Sequence, residues 1–99
     1  IYIDDLVNFV ILSIQNHKSN FRIYNCGSGK SYSIENIIKK IIKISKKKIE
    51  IVYDRTQPTI KTFLSLDCKL ADKELGWKPK ISLDKGIFFT LKWWKENFK

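Results

Sequence analysis

Apolar residues recur along this chain in two rhythms. Leu6, Val7, Val10, Ile11 and Ile14 stand three and four apart, the spacing that gathers side chains on one side of an α-helix. Asp4 and Asp5 come just before them as helix-start residues, so a first helix is expected over residues 5–16 after a short β-type run at 1–3. A second, cleaner stripe follows at Ile34, Ile37, Ile38, Ile41 and Ile42, with Ser33 placed to cap it and lysines crowding its last turn. Between the two, "FRIYN" at 21–25 alternates and is rich in aromatic and β-branched residues, which predicts a strand. Strand character returns in "KIEIVYD", over 48–53. The run "RTQPTIKTF" has a proline and no period and reads as a loop, with "LSLD" a short extended piece after it. Asp67 can cap a short helix over 68–75 that Gly76 ends. Pro79 keeps "WKPK" extended. Ser82 starts a last helix over 83–97, whose face is expected to hold Leu83, Ile87, Leu91, Trp94 and Phe98.

The order is strand, helix, strand, helix, strand, loop, helix, helix. Strands separated by a helix pair in parallel, because the crossover leaves no other short route. The expected fold is therefore a small α/β piece with a mainly parallel sheet and flanking helices. At 99 residues, 43% of them hydrophobic, the chain has room for one domain, residues 1–99, and for no second core. No apolar run is long enough to span a membrane as a helix, and no secretion leader is written, so a cytoplasmic location is expected. The chain starts at Ile1 and holds no methionine, which suggests an excised piece of a longer product.

Charge brings in a competing idea. A net charge of +9 is the mark of a chain that meets polyanions. The densest cluster is Lys39, Lys40, Lys43, Lys46, Lys47 and Lys48, on or just after the polar side of the second helix. No aromatic residue is interleaved there, and arginine occurs only at Arg22 and Arg55. Readers of nucleic acid favour arginine forks and stacking aromatics, so a solvated helix face accounts for these lysines better than a nucleic-acid module does.

Candidates for catalysis are scarce. His17 sits in the polar turn after the first helix with no serine or cysteine partner nearby. Asp4, Asp5, Asp67 and Asp84 each fit a helix start. Cys26 and Cys68 show no metal-ligand spacing and read as reduced, partly buried thiols. "GSGKS" at 27–31 lacks the four residues a phosphate-binding P-loop needs between its first glycine and the glycine-lysine pair. It also fails as a GxGxxG dinucleotide turn, since Tyr32 stands where the third glycine would be. The two glycines read instead as a turn, with Ser31 or Ser33 capping the helix behind it.

Taken together, "YIDDLV", "YNCGSGKSYSIENI" and "DCKLADKELGWKPKISLDKGIFFTLKWW" resemble, in order and spacing, the carboxyl-terminal part of the extended short-chain dehydrogenase/reductases that act on nucleotide sugars. The most specific piece is "KELGWKP", residues 73–79, ahead of an aromatic helix. The resemblance implies a parent enzyme that is an NAD(P)-dependent epimerase, dehydratase or related synthase, an isomerase or a lyase. Its amino-terminal Rossmann part would bind NAD or NADP and carry a YxxxK motif. No tyrosine here, among Tyr2, Tyr24, Tyr32 and Tyr53, has a lysine four residues on. The resemblance thus implies a non-catalytic piece that binds no cofactor itself. Its partners would be a nucleotide-sugar substrate and its own Rossmann part, in a parent that forms a homodimer. Arg55 and Lys61, in the loop before "LGW", are the implied substrate-binding residues, as cations able to pair with diphosphate oxygens. Many relatives have an arginine nearer "SLD", where this chain has Phe63. Trp77, Trp93 and Trp94 are expected to serve core packing. Without the Rossmann part, apolar faces of helices one and two are expected to lie uncovered.

Overall fold

The structure is a computed structural model that describes residues 1–59 and 62–98. Four helices carry it: α1 (Ile3–Asn16), α2 (Ile34–Ser45), α3 (Lys69–Leu75) and α4 (Leu83–Asn97). Each expected helix is present. The first begins two residues early, because Ile3 is already helical and Tyr2 is the N-cap, its carbonyl accepting from the amides of Asp5 and Leu6. Ser33 and Ser82 cap α2 and α4, their hydroxyls accepting from the backbone N–H of Asn36 and Lys85 at 3.1 and 3.3 Å. The N-cap of α3 is Cys68 rather than the expected Asp67; the Asp67 carboxylate, one position before that cap, still accepts from the Lys69 amide at 2.9 Å. Gly76 ends α3 at φ +66°, in the left-handed region where a side chain is costly, and Gly29 turns the "GSG" loop at φ +67°.

The helices pack in two pairs, α1 on α3 and α2 on α4. The first pair holds the densest packing. Ala71, Leu75 and Trp77 are buried, with Phe9, Leu12, Tyr24, Cys26 and Cys68 against them. The Phe9 ring meets Trp77 edge-on at 5.2 Å between centroids, and the Trp77 indole N–H donates to the Asp5 carbonyl at 3.0 Å. In the second pair no helix-two isoleucine is fully buried; Ile37 and Ile41 line a cavity shared with Ile87 and Leu91 of α4.

The expected parallel sheet is not present among the described residues. The segment 21–25 has no regular secondary structure and is held to α3 through side chains: Arg22 and the Tyr24 hydroxyl both donate to the Glu74 carboxylate. The segment 48–53 likewise has no regular secondary structure and is tied to α2 by the Tyr53 hydroxyl, which donates to Glu35 at 2.8 Å. Among the described residues neither shares a backbone hydrogen bond with another segment. A strand needs a neighbour along its edge to become part of a sheet, and nothing in these residues supplies one. The aromatic end of α4 also departs from expectation. Trp77 is core, but Trp93, Trp94 and Phe98 remain 52 to 55% exposed, with Trp94 stacked on Phe98 at 4.3 Å.

The molecule is a slab of 50 × 36 × 18 Å with a radius of gyration of 17.0 Å, where a compact domain of this length has about 13 Å. Its accessible surface is 8787 Å², against about 5,900 Å² for a compact monomer of the same mass. The excess is apolar in large part. Val7, Val10, Ile11 and Ile14 of α1 lie 46 to 77% exposed, and Ile34, Ile38 and Ile41 of α2 lie 37 to 72% exposed, as expected for faces awaiting a cover.

Candidate functional site

Two concave regions flank the segment that joins α3 to α4. The larger, about 630 Å³, lies between α2 and α4; Tyr2, Lys30, Tyr32, Ile41, Lys80 and Ile87 are among its walls. Its size is that of a small-molecule site, and its floor is aliphatic. The smaller, about 450 Å³, is framed by Gly29, Leu66, Asp67, Cys68, Trp77 and Lys78.

The wall common to both is positioned by Asp5. Its carboxylate, 4% exposed as a residue, accepts from the backbone N–H of Lys80 at 3.0 Å through Oδ1 and of Ile81 at 2.9 Å through Oδ2. With the Trp77 indole on its own carbonyl, Asp5 ties the first turn of α1 to the segment 77–81. Asp5 stands in the helix start that the sequence predicts for it. The further role went unseen because its partners are 75 and 76 residues away. The one signal was redundancy, two adjacent aspartates where a helix start needs one.

A second carboxylate, on α3 itself, is also engaged by partners far away in the chain. Glu74 takes charge-assisted bonds from Arg22 and a bond from the Tyr24 hydroxyl, and these hold its pKa down from 4.5 to about 2. The same contacts raise the Arg22 guanidinium, chiefly through its bond to Glu74. Burial, and then the neighbouring Cys68, push the Cys26 thiol up, away from the thiolate. Both cysteines are free and partly buried, as expected.

Arg55, expected to bind substrate, lines neither cavity. Arg55 sits in an exposed turn, 55–57, set by the Asp54 carboxylate, which accepts from the Thr56 amide at 2.9 Å and hydroxyl at 2.6 Å. Lys61 lies outside the described residues. The lysine cluster of α2 is partly neutralised: Lys39 pairs with Glu35 and Lys40 with Asp84, each at 2.6 Å. Among the described residues no group of three or more His, Cys, Asp or Glu side chains could hold a metal ion.

The "GSG" turn does not fit a dinucleotide. A pyrophosphate needs open backbone at the glycines and free amides at the helix start. A Cβ placed on Gly27 would meet Leu66 Cδ1 at 3.3 Å, so that approach is filled, and the Ser33 hydroxyl already takes the Asn36 amide of α2.

No family model matches the chain. It is similar to the dTDP-4-dehydro-6-deoxyglucose reductase of Escherichia coli, with 38% identity over 88% of the chain and 27% of the relative. It is similar also to the UDP-glucose 4-epimerase of Drosophila melanogaster, with 36% identity over 81% of the chain and 23% of the relative. Among solved structures, it superimposes on UDP-glucose 4-epimerase from Bifidobacterium longum in complex with NAD+ and UDP. There the TM-score is 0.85 at 28% identity, over 98% of this chain and 29% of that one. The chain thus spans less than a third of the length of the relatives it matches. The resemblance read from "YIDD", "YNCGSG" and "LGWKP" is borne out: the homologues are nucleotide-sugar epimerases and reductases, each matched over a part consistent with a carboxyl-terminal piece. The structural likeness supports the Rossmann-type parent, and nothing in these comparisons favours nucleic-acid binding.

Proposed function

We propose that residues 1–99 are the substrate-domain end of a cytoplasmic, NAD(P)-dependent nucleotide-sugar enzyme, one that oxidises the sugar and then epimerises, dehydrates or reduces it. Its amino-terminal Rossmann part supplies the NAD or NADP and the catalytic tyrosine and lysine, and the parent works as a homodimer. This piece closes over the nucleotide sugar and performs no hydride chemistry. The observation that supports the reading is the superposition of 98% of the chain on 29% of an epimerase solved with NAD+ and UDP. Arg55 and Lys61 are assigned to the diphosphate, as cations able to pair with its oxygens, and Arg55 is exposed in its turn.

The test is a residue-resolved NMR titration of the 99-residue chain with UDP-, GDP-, dTDP- and CDP-sugars, with a short DNA duplex as control at two salt concentrations. Shifts gathered over residues 55–67 with one nucleotide support the reading and identify its base, and Arg55→Ala is expected to weaken them several-fold. Salt-sensitive shifts over 39–48 with DNA alone would replace it by a basic binding module.

A further inference from the structure

Cys26 and Cys68 are far apart in the chain, yet both pack on the cluster of Ala71, Leu75 and Trp77, each half-buried and each a free thiol. The backbone around them is tied together. The Asn25 side-chain amide donates to the Asp67 carbonyl at 3.0 Å, one residue before each cysteine, and the Cys68 thiol donates to the Gly27 carbonyl at 3.6 Å, one residue after Cys26. Leu66 closes the same seam, its Cδ1 lying 3.3 Å from where a Cβ on Gly27 would stand. These contacts, at 25 and 27 on one side and at 66, 67 and 68 on the other, set Cys26 across the seam from Cys68. Burial, and then Cys68 itself, hold the Cys26 thiol above its ordinary value. Cys68 differs in access, because it forms part of the wall of the cavity of about 450 Å³. Thiols serve as small apolar fillers in many cores. What sets this pair apart is the second thiol across the seam and the opening beside one of them.

We propose that Cys26 and Cys68 form a reversible disulfide, a modification site that fastens the "GSG" turn to the start of α3 when the surroundings turn oxidising. The co-reactant is a low-molecular-weight disulfide of the glutathione class. The Cys68 thiolate, reached through the cavity, attacks one sulfur of that disulfide; one small thiolate leaves, and Cys68 carries a mixed disulfide. Cys26, having given its proton to solvent, then attacks the Cys68 sulfur and expels the second small thiolate. One protein disulfide forms, and the small disulfide is reduced to two thiols that take up the two protons the cysteines release. Cys68 leads because it is open. Cys26 follows, because a shielded thiol with a raised pKa is a poor first attacker, but one held beside a mixed disulfide needs no encounter to resolve it. The closed loop, residues 26–68, contains the whole of α2, so oxidation restrains the unfolded chain strongly and fixes one wall of the cavity. A transient bridge is the kind that a reducing compartment permits. The pair does not rest on the nucleotide-sugar reading, which assigns neither cysteine to the substrate.

The experiment incubates the reduced 99-residue chain with oxidised glutathione at mildly alkaline pH and follows acid-quenched samples by mass spectrometry with peptide mapping. The expected product is a monomer short of two hydrogens, with 26 linked to 68, preceded by glutathione on Cys68 and reversed by dithiothreitol. Set in glutathione buffers, the equilibrium ratio of bridged to reduced chain should fall about a hundredfold when urea unfolds the protein. A ratio that stays level or rises in urea overturns the proposal, because the fold would then be holding the two sulfurs apart. Lasting glutathione on both cysteines, or bridges only between chains, overturns it as well, since two sulfurs side by side resolve such adducts. In the bridged chain, amide hydrogen exchange across 27–30 and 66–69 should slow against the reduced chain; unchanged exchange would remove the clamp on the turn. Cys26→Ser should stop at the Cys68 mixed disulfide, and Cys68→Ser should react at least about tenfold more slowly with oxidised glutathione. Equal rates for the two variants would overturn the assignment of the first attack to Cys68. The product, the urea ratio and the exchange are all read on the unmutated chain, so a serine variant that fails to fold leaves the test intact.

Discussion

Two amides of the segment before α4 converge on one buried carboxylate, and this makes Asp5 the residue whose loss the fold should feel most. Asp5→Ala leaves the Lys80 and Ile81 N–H groups without acceptors, a cost of about 2–4 kcal/mol. Asp5→Asn keeps one carbonyl oxygen and should cost about half as much; chemical denaturation of the two variants gives the ratio. Glu74 makes a prediction of a different kind. Its folded pKa of about 2 lies below the ordinary 4.5, so the unfolded chain takes up this proton first as pH falls. The stability it contributes is complete above about pH 4.5, declines as pH falls from there, and is gone below about 2. Glu74→Gln should therefore flatten the stability profile across that window and leave the slope above pH 5 unchanged; a parent-like slope between pH 4.5 and 2 in the variant would remove the assignment. Neither role was legible in the sequence, because each carboxylate works through partners 50 or more residues away in the chain. Arg55 and Lys61 were legible only through family resemblance. Nothing in their local spacing separates a phosphate ligand from an exposed surface cation.

At the level of the element, what could be read was what is local. Ser33, Ser82 and Gly76 punctuate their helices where the sequence placed them, since a cap acts on backbone groups a few residues away, while the start of α3 falls one residue later than expected, at the N-cap Cys68. Ser82→Ala should thus cost about 1 kcal/mol, and Gly76→Ala, forced to φ +66°, about 1–2 kcal/mol. Thermal unfolding of both variants checks these values, and a neutral Gly76→Ala would show that the α3 terminus relaxes out of the left-handed region. The strands failed for the complementary reason. Residues 21–25 and 48–53 have the alternation and β-branching that predict strands but form none, because pairing depends on a neighbour that no pattern within the segment can report. The stripe on α1 was read as one face toward a core. Its residues and Phe9 with Leu12 in fact look in opposite directions, and a helix that must be covered on both sides shows no clean amphipathic period.

Across the whole molecule, the slab shape carries a consequence for how it unfolds. An unfolded chain of this mass exposes about 17,000 Å² and a compact monomer would bury about 11,000 Å² of it. With 8787 Å² still accessible when folded, this chain buries only about 8,000 Å². Denaturant sensitivity and the heat-capacity change of unfolding both follow the area exposed. The urea m-value of the isolated chain should therefore be about three quarters of that for an ordinary 99-residue domain, with its heat-capacity increment lowered further because the surface left uncovered is rich in isoleucine and valine. Denaturation followed by circular dichroism, at a concentration where sedimentation shows monomers, gives the number. A full-sized m-value from monomers would mean that the helices close on one another in solution and that α1 keeps no free side. A reduced value, restored when the chain is fused to the rest of an epimerase, would mean that a large share of the stability of these residues comes from a surface they do not themselves possess.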